Sequence, residues 1–223
     1  MSAHLVVFVK NPVPGTVKTR LQARYTPEQA ADFYRAFILD TLAAARTVPA
    51  DQFHIAYTPA EAEADIQNLC GPGWTYVPQI AADLGERMYA AARHCFQLGA
   101  ARVVIVGTDV PSLPPAHIRQ AFDILSRKDI VLGPSTDGGY YLVGLSQPIP
   151  SIFQHIRWST AGVFAQTLDR AESAGLQMGL VPPWYDIDTP EELDFLAVHV
   201  RARTLAEGIQ ALPHTAASLS RLT

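Results

Sequence analysis

The sequence predicts an α/β fold: three layers, α/β/α, around a mainly parallel, mixed sheet. Three observations predict it. Short apolar, β-branched runs alternate with longer helical stretches. Helix openings recur as Thr-Pro followed by Glu or Gln, at Thr26, Thr58 and Thr189. The chain has 223 residues, 48% of them apolar and only 17% charged, which suits one large domain with a substantial core.

The first strand is Leu5–Val9, an apolar run broken by Lys10, Asn11 and Pro12. That run is too short for a signal peptide or a membrane span, so a cytoplasmic protein without a membrane segment is expected. The segment from Lys10 to Leu21 follows. Its two prolines and Gly15 make a stiff, close-turning loop, and Lys10, Lys18 and Arg20 gather three cations in eleven residues. In a parallel sheet, ligands bind outside the carboxyl ends of the strands. A cationic loop placed there points to phosphate binding, with a solvated turn as the alternative. It has neither the GxxxxGK[ST] nor the GxGxxG spacing.

Thr26-Pro27-Glu28-Gln29 then opens a helix, with Thr at the cap and Gln where a capping box needs it. Phe53–Tyr57 reads as the second strand, and Thr58-Pro59-Ala60-Glu61 as another capped helix start. Trp74–Val77 is a weaker strand. Asp83-Leu84-Gly85-Glu86 opens a helix running to Gln97, with Gly99 as its stop and Arg87 able to face a ligand.

Arg102–Val106 is the most strand-like run of the middle chain. It ends in Gly107-Thr108-Asp109-Val110-Pro111, a lone carboxylate at the active edge of the sheet. A hard divalent cation bridging diphosphate oxygens needs one or two such carboxylates, and Asp109 suits that role. The alternative is an N-cap for the helix near Pro114–Leu125. Ile130–Leu132 and Tyr140–Leu145 are further strands. Between them, Asp137-Gly138-Gly139 reads either as a hairpin turn or as bare backbone beside a sugar or nucleotide, with Asp137 bonding hydroxyls. Trp158-Ser159-Thr160 precedes another helix, and core packing or capping explains it equally well. Gln177–Val181 is a weak strand. In Trp184-Tyr185-Asp186-Ile187-Asp188, the two carboxylates of an extended segment fall on one side and could join Asp109 in a metal site. Thr189-Pro190-Glu191-Glu192 caps the last long helix. Residues 1–210 are read as one domain and 211–223 as a C-terminal tail, either a frayed end or a short docking segment.

The net charge is −4, so nucleic acid is an unlikely partner and any anion must be met by local cations or a metal. Cys70 and Cys95 belong to no CxxC or Cys/His spacing and are read as reduced, mostly buried thiols. The seven histidines show no ligand spacing and are read as surface or core singles.

Six motifs together carry a family resemblance. They are Pro12–Leu21, Asp83–Met88, Gly107–Pro111, Asp137–Gly144, Trp158–Thr160 and Asp186–Pro190. The chain resembles the bacterial family DUF2064, also called selenodomain-associated transferase 1, whose members look like GT-A-type nucleotide-diphospho-sugar transferases. The first and last motifs are also similar to those of small nucleotidyltransferases, including the molybdenum-cofactor and phospholactate enzymes. The resemblance implies a GT-A-like fold and phosphate binding by Lys18 and Arg20. It also implies Mg²⁺ or Mn²⁺ on Asp109 and Asp188. Thr108-Asp109-Val110-Pro111 is not a full DxD. The expected activity is metal-dependent glycosyl transfer from a nucleotide sugar to a small acceptor. In that reaction Lys18 supports the leaving diphosphate and Asp137 acts on the acceptor hydroxyl. Gly15, Lys10, Arg87, Gly138 and Gly139 complete the expected nucleotide site, and Asp186 the metal site. Nucleotidyl transfer from an NTP, with release of pyrophosphate, is the alternative.

Overall fold

The computed structural model describes residues 2–208 and 211–221. Seven strands form one sheet: β1 Ala3–Lys10, β2 Gln52–Thr58, β3 Thr75–Pro78, β4 Arg102–Gly107, β5 Ile130–Pro134, β6 Tyr140–Leu145 and β7 Met178–Leu180. The helices are α1 Pro27–Ala45, α2 Glu63–Cys70, α3 Leu84–Gln97, α4 Pro115–Ile124, α5 Val163–Ser173, α6 Pro190–Glu207 and α7 Pro213–Ser220. The strand order is β3-β2-β1-β4-β6-β5-β7. Every pairing is parallel except those of β6, which runs antiparallel to both β4 and β5. The carboxyl ends of β1, β2, β4 and β5 and the beginning of β6 therefore share one edge.

Alternation along the strands builds the three layers. Leu5, Val7 and Val9 of β1 point to one face, where Phe33 and Phe37 of α1, Ile118 of α4 and Leu196 of α6 cover them. Val6 points to the other face, under Met88, Ala92 and Cys95 of α3 and Ala171 of α5. Each fully buried aliphatic or aromatic side chain contributes about 1.5–3 kcal/mol relative to exposure. The central strands need no polar face because helices cover both sides.

Two of the three Thr-Pro openings form as expected. Thr26 and Thr189 each accept the backbone N–H of the residue three positions on, and Gln29 and Glu192 bond back to the cap residue. Thr58 does not. It is the last residue of β2, paired with Lys10, and its carbonyl accepts from Asn11 N–H at 2.8 Å. With its backbone committed to the sheet, it caps no helix. A short 3₁₀ turn at Ala60–Ala62 leads instead into α2, which has no side-chain cap. Residues 213–220 form α7 against α1. Asp40, buried in α1, accepts the backbone N–H groups of His214 and Thr215 at 3.2 and 2.8 Å and so caps α7 from outside its own chain segment.

Candidate functional site

A cleft of about 660 Å³ opens along the shared strand edge. The loop after β1 folds in beside it because Val17 and Leu21 are anchored in the core. Lys18, between them, adopts a left-handed backbone conformation with φ 47°. An L-residue takes that conformation at a cost of about 1–2 kcal/mol. The turn drives the side chain inward, where only 3% of it stays exposed.

Its ammonium is completely satisfied. Lys18 Nζ donates to the Asp109 carboxylate, to Asp188 Oδ1 at 2.9 Å and to the Ile187 carbonyl at 2.6 Å. Burial alone would depress the Lys18 pKa, but the facing charges of Asp109 and Asp188 outweigh it and hold the group above its ordinary value. The rings of Tyr34 and Phe37 flank it, with centroids 5.7 and 5.9 Å away. Asp109 and Asp188 arrive from segments far apart in sequence. Ile187 N–H donates to the Asp109 carbonyl at 2.9 Å, which ties the two segments together beside the lysine. Arg20, 70% exposed, lies 3.6 Å from Asp188 at the rim. Asp109 caps no helix: α4 begins at Pro115 after Pro114, with no side-chain cap.

A second group sits across the cleft. Asp137 accepts Gly139 N–H at 2.8 Å, closing the turn of the β5–β6 hairpin, and still lines the cleft. Asp186 accepts from Ser135 Oγ at 2.9 Å. Burial first, then the negative charge of Asp137, raises the Asp186 pKa above the ordinary carboxylate value. The hairpin and lining readings of this turn thus coexist. Gly138 has a specific packing requirement. With φ 90°, a Cβ on it would lie 2.1 Å from the Ala161 carbonyl oxygen, so what passes close to this glycine is the chain itself.

The structure gathers Lys18, Arg20, Asp109 and Asp188 into one cluster and Asp137 with Asp186 into another. Lys10 and Arg87 also line the cleft. Lys10 Nζ bonds the Thr16 carbonyl at 2.6 Å within its own loop, and Arg87 Nε bonds the Ala81 carbonyl at 3.1 Å. Gly139 lines the cleft; Gly15, with φ 80°, turns the loop behind it. Among the described residues, Asp109, Asp186 and Asp188 do not approach closely enough to surround one ion as a set of three. Asp109 and Asp188 share Lys18, whereas Asp186 faces Ser135. Sequence reasoning missed Tyr34. Its hydroxyl lies 2.7 Å from Thr108 Oγ1 and accepts from Lys10 N–H at 3.2 Å, joining α1, β1 and the Asp109 turn. It lies on a helix rich in buried apolar residues, where nothing in the local sequence sets it apart from a core aromatic. Ser135 had no signal beyond its place before Asp137.

A family model described as "Uncharacterized protein conserved in bacteria (DUF2064)" matches residues 41–160. Among solved structures, the chain is 34% identical to a candidate nucleotide-diphospho-sugar transferase from Desulfovibrio desulfuricans G20. That match covers 99% of this chain and 95% of the other, with a TM-score of 0.89. The fold is shared with CMP:2-keto-3-deoxy-manno-octonic acid synthetase complexed with CTP, at 12% identity, covering 93% and 100% of the two chains, with a TM-score of 0.58. It is also shared with Rv0371c from Mycobacterium tuberculosis in complex with manganese, at 17% identity, covering 88% and 96%, with a TM-score of 0.53. No curated protein matches the chain.

Proposed function

The chain belongs to the DUF2064 family, and from that premise we propose that it is a transferase acting on a nucleotide diphosphate, specifically a metal-dependent glycosyltransferase with a nucleotide-sugar donor. The observation that carries the proposal is the Asp109 and Asp188 pair, which lines the cleft and shares the buried Lys18 ammonium.

Charge balance is the test of whether a metal fits. Two carboxylates against one ammonium leave a negative charge uncompensated, which exposed Arg20 offsets only in part. A diphosphate would be repelled by that arrangement. Asp109 keeps 54% of its side chain exposed, so it retains oxygen lone pairs for a hard cation, and oxygen ligands are what Mg²⁺ and Mn²⁺ take. The residues present therefore fit a divalent ion held by Asp109 and Asp188. When bound, such an ion supplies Lewis-acid stabilisation of the leaving diphosphate.

The chain's own groups do the rest. Lys18 keeps its proton throughout, since its surroundings favour the charged form, and so acts as a fixed cation rather than a base. Its part is to hold the Asp109 and Asp188 carboxylates side by side at the cleft. Arg20 and Lys10 guide the phosphates from the rim. Asp137, already oriented by Gly139 N–H, holds the acceptor hydroxyl and takes its proton.

The discriminating experiment follows products. Incubation with a panel of nucleotide sugars and Mn²⁺ is expected to release nucleoside diphosphate, and Asp137→Asn should slow release about 10²- to 10⁴-fold without weakening nucleotide binding. Consumption of NTP with release of pyrophosphate would overturn the glycosyl reading in favour of nucleotidyl transfer.

A further inference from the structure

At the amino end of the sheet, three side chains that the proposed reaction does not use meet in the core. β1 and β2 run parallel with Val6 opposite His54, so His4, two residues before Val6, shares a face with His54. Their rings stack with centroids 5.0 Å apart. Cys95 of α3 covers this same face. One ring nitrogen of each histidine and the Cys95 Sγ all lie within 4.8 Å of one another, and all three residues are buried. His4 and His54 are therefore not singles, and Cys95 does belong to a Cys/His group. Residues 4, 54 and 95 have no spacing in common; strand register and helix packing bring them together.

Ordinary hydrogen bonding does not complete the cluster. His4 Nε2 lies 3.1 Å from Ser2 Oγ, and His54 Nε2 lies 3.1 Å from His4 Nδ1. Whichever tautomers are chosen, the chain ends at His54 Nδ1, which is buried without a partner. Burial also lowers the pKa of both rings, His54 to about 4, so both are neutral imidazoles with a lone pair, the form that ligates metals.

We propose that His4, His54 and Cys95 form a second metal site, for a single thiophilic ion of the Cu⁺/Zn²⁺ class. Two imidazoles and a thiolate select such ions over Mg²⁺ or Mn²⁺, which take oxygen. Binding breaks the Cys95 S–H bond, forms a sulfur–metal bond and sends the proton to solvent; no electron moves. Cu⁺ with one thiolate is neutral overall. Zn²⁺ would leave one positive charge among Val6, Ala56 and Ala92, so Cu⁺ is the better match for this apolar setting. His4 precedes Lys10 by six strand residues, roughly 20 Å at about 3.3 Å per residue, so this site is separate from the cleft. It also stands independently of the transferase reading.

The test uses the full chain, stripped of metal and kept reduced and anaerobic. It is titrated with Cu⁺ and separately with Zn²⁺ against chromophoric chelators. One equivalent of Cu⁺ is expected to bind, with affinity at least about 100-fold lower in Cys95→Ser, more than an outer-shell change would cause, and unchanged in Cys70→Ser. A one-equivalent preference for Zn²⁺ that also requires Cys95 supports the site and assigns it to zinc. If Cys95→Ser fails to fold, X-ray absorption of the loaded wild-type protein decides: one sulfur and two imidazole scatterers support the site. No stoichiometric binding of either ion, binding that follows Cys70, or a metal without sulfur would overturn it.

Discussion

Buried polar groups lie near both ends of β1, and they are managed in opposite ways. At the carboxyl end, Lys18 is charged, and the Asp109 and Asp188 carboxylates and the Ile187 carbonyl satisfy it. At the amino end, His4 and His54 are equally buried but neutral, with one nitrogen left unpartnered. The difference follows from what surrounds each. Loops from three parts of the chain converge beside the cleft and bring countercharge with them. The amino end is closed by apolar residues of α3 and can hold polar groups only in uncharged form. The first environment suits an anionic ligand bridged by a hard cation. The second suits a soft ion or none.

The strongest way to break this contrast is to remove the countercharge. In Asp109→Asn with Asp188→Asn, Lys18 keeps its burial but loses both ion pairs, and the expected loss is about 3–5 kcal/mol, read as a shift in the urea midpoint. A small loss would mean that the ammonium is free to swing into water.

Acid should act on the other end. In the metal-free protein, His54 titrates near 4 when folded and near 6.5 when unfolded. A depressed histidine contributes stability that is complete above about 6.5 and is lost as pH falls toward 4. At roughly 1.4 kcal/mol per pH unit this is worth about 3 kcal/mol. Burial is the main cause of the His54 shift, and the facing His4 and His94 rings add to it. His54→Gln should flatten the stability profile across that window. Lys18 has the reverse sign. Its raised pKa adds stability that is complete below the ordinary lysine value of about 10.4 and is lost only as pH rises through its higher folded value, so it leaves the acid limb unchanged.

Gly138→Ala sharpens the role of the hairpin turn. The new Cβ would meet the Ala161 carbonyl, and a positive φ compounds the strain. A loss of about 1–3 kcal/mol is expected, several degrees in melting temperature for a chain of this length. The smallest effect belongs to Arg20→Ala. Its exposed ion pair should contribute less than about 0.5 kcal/mol to stability, so any change should appear in nucleotide affinity instead.

The sheet was legible because its signals are local. Leu5–Val9 and Arg102–Val106 are continuous apolar runs, and the Thr26 and Thr189 boxes mark their helices within four residues. Thr58 shows the limit: the same four-residue pattern is overridden when the first residue is needed by a strand. At the cleft, the residue types were readable and their partnerships were not. Lys18 read as a phosphate ligand, but its inward turn depends on a left-handed backbone and on Val17 and Leu21 anchoring the loop. Tyr34 was illegible because its hydroxyl matters through Lys10 and Thr108, twenty-four and seventy-four residues away. His4, His54 and Cys95 were illegible for the same reason, since their meeting is a product of register and packing.

In the proposed reaction, Asp109 and Asp188 receive a nucleoside diphosphate through a divalent cation. Titration calorimetry of a nucleoside diphosphate, with and without Mn²⁺, tests it most directly in the wild type and in Asp109→Asn. The predicted result is affinity that rises with Mn²⁺ in the wild type and loses that dependence, by at least about tenfold, in the variant. Equal affinity with and without Mn²⁺, or an unchanged Mn²⁺ dependence in Asp109→Asn, would contradict it.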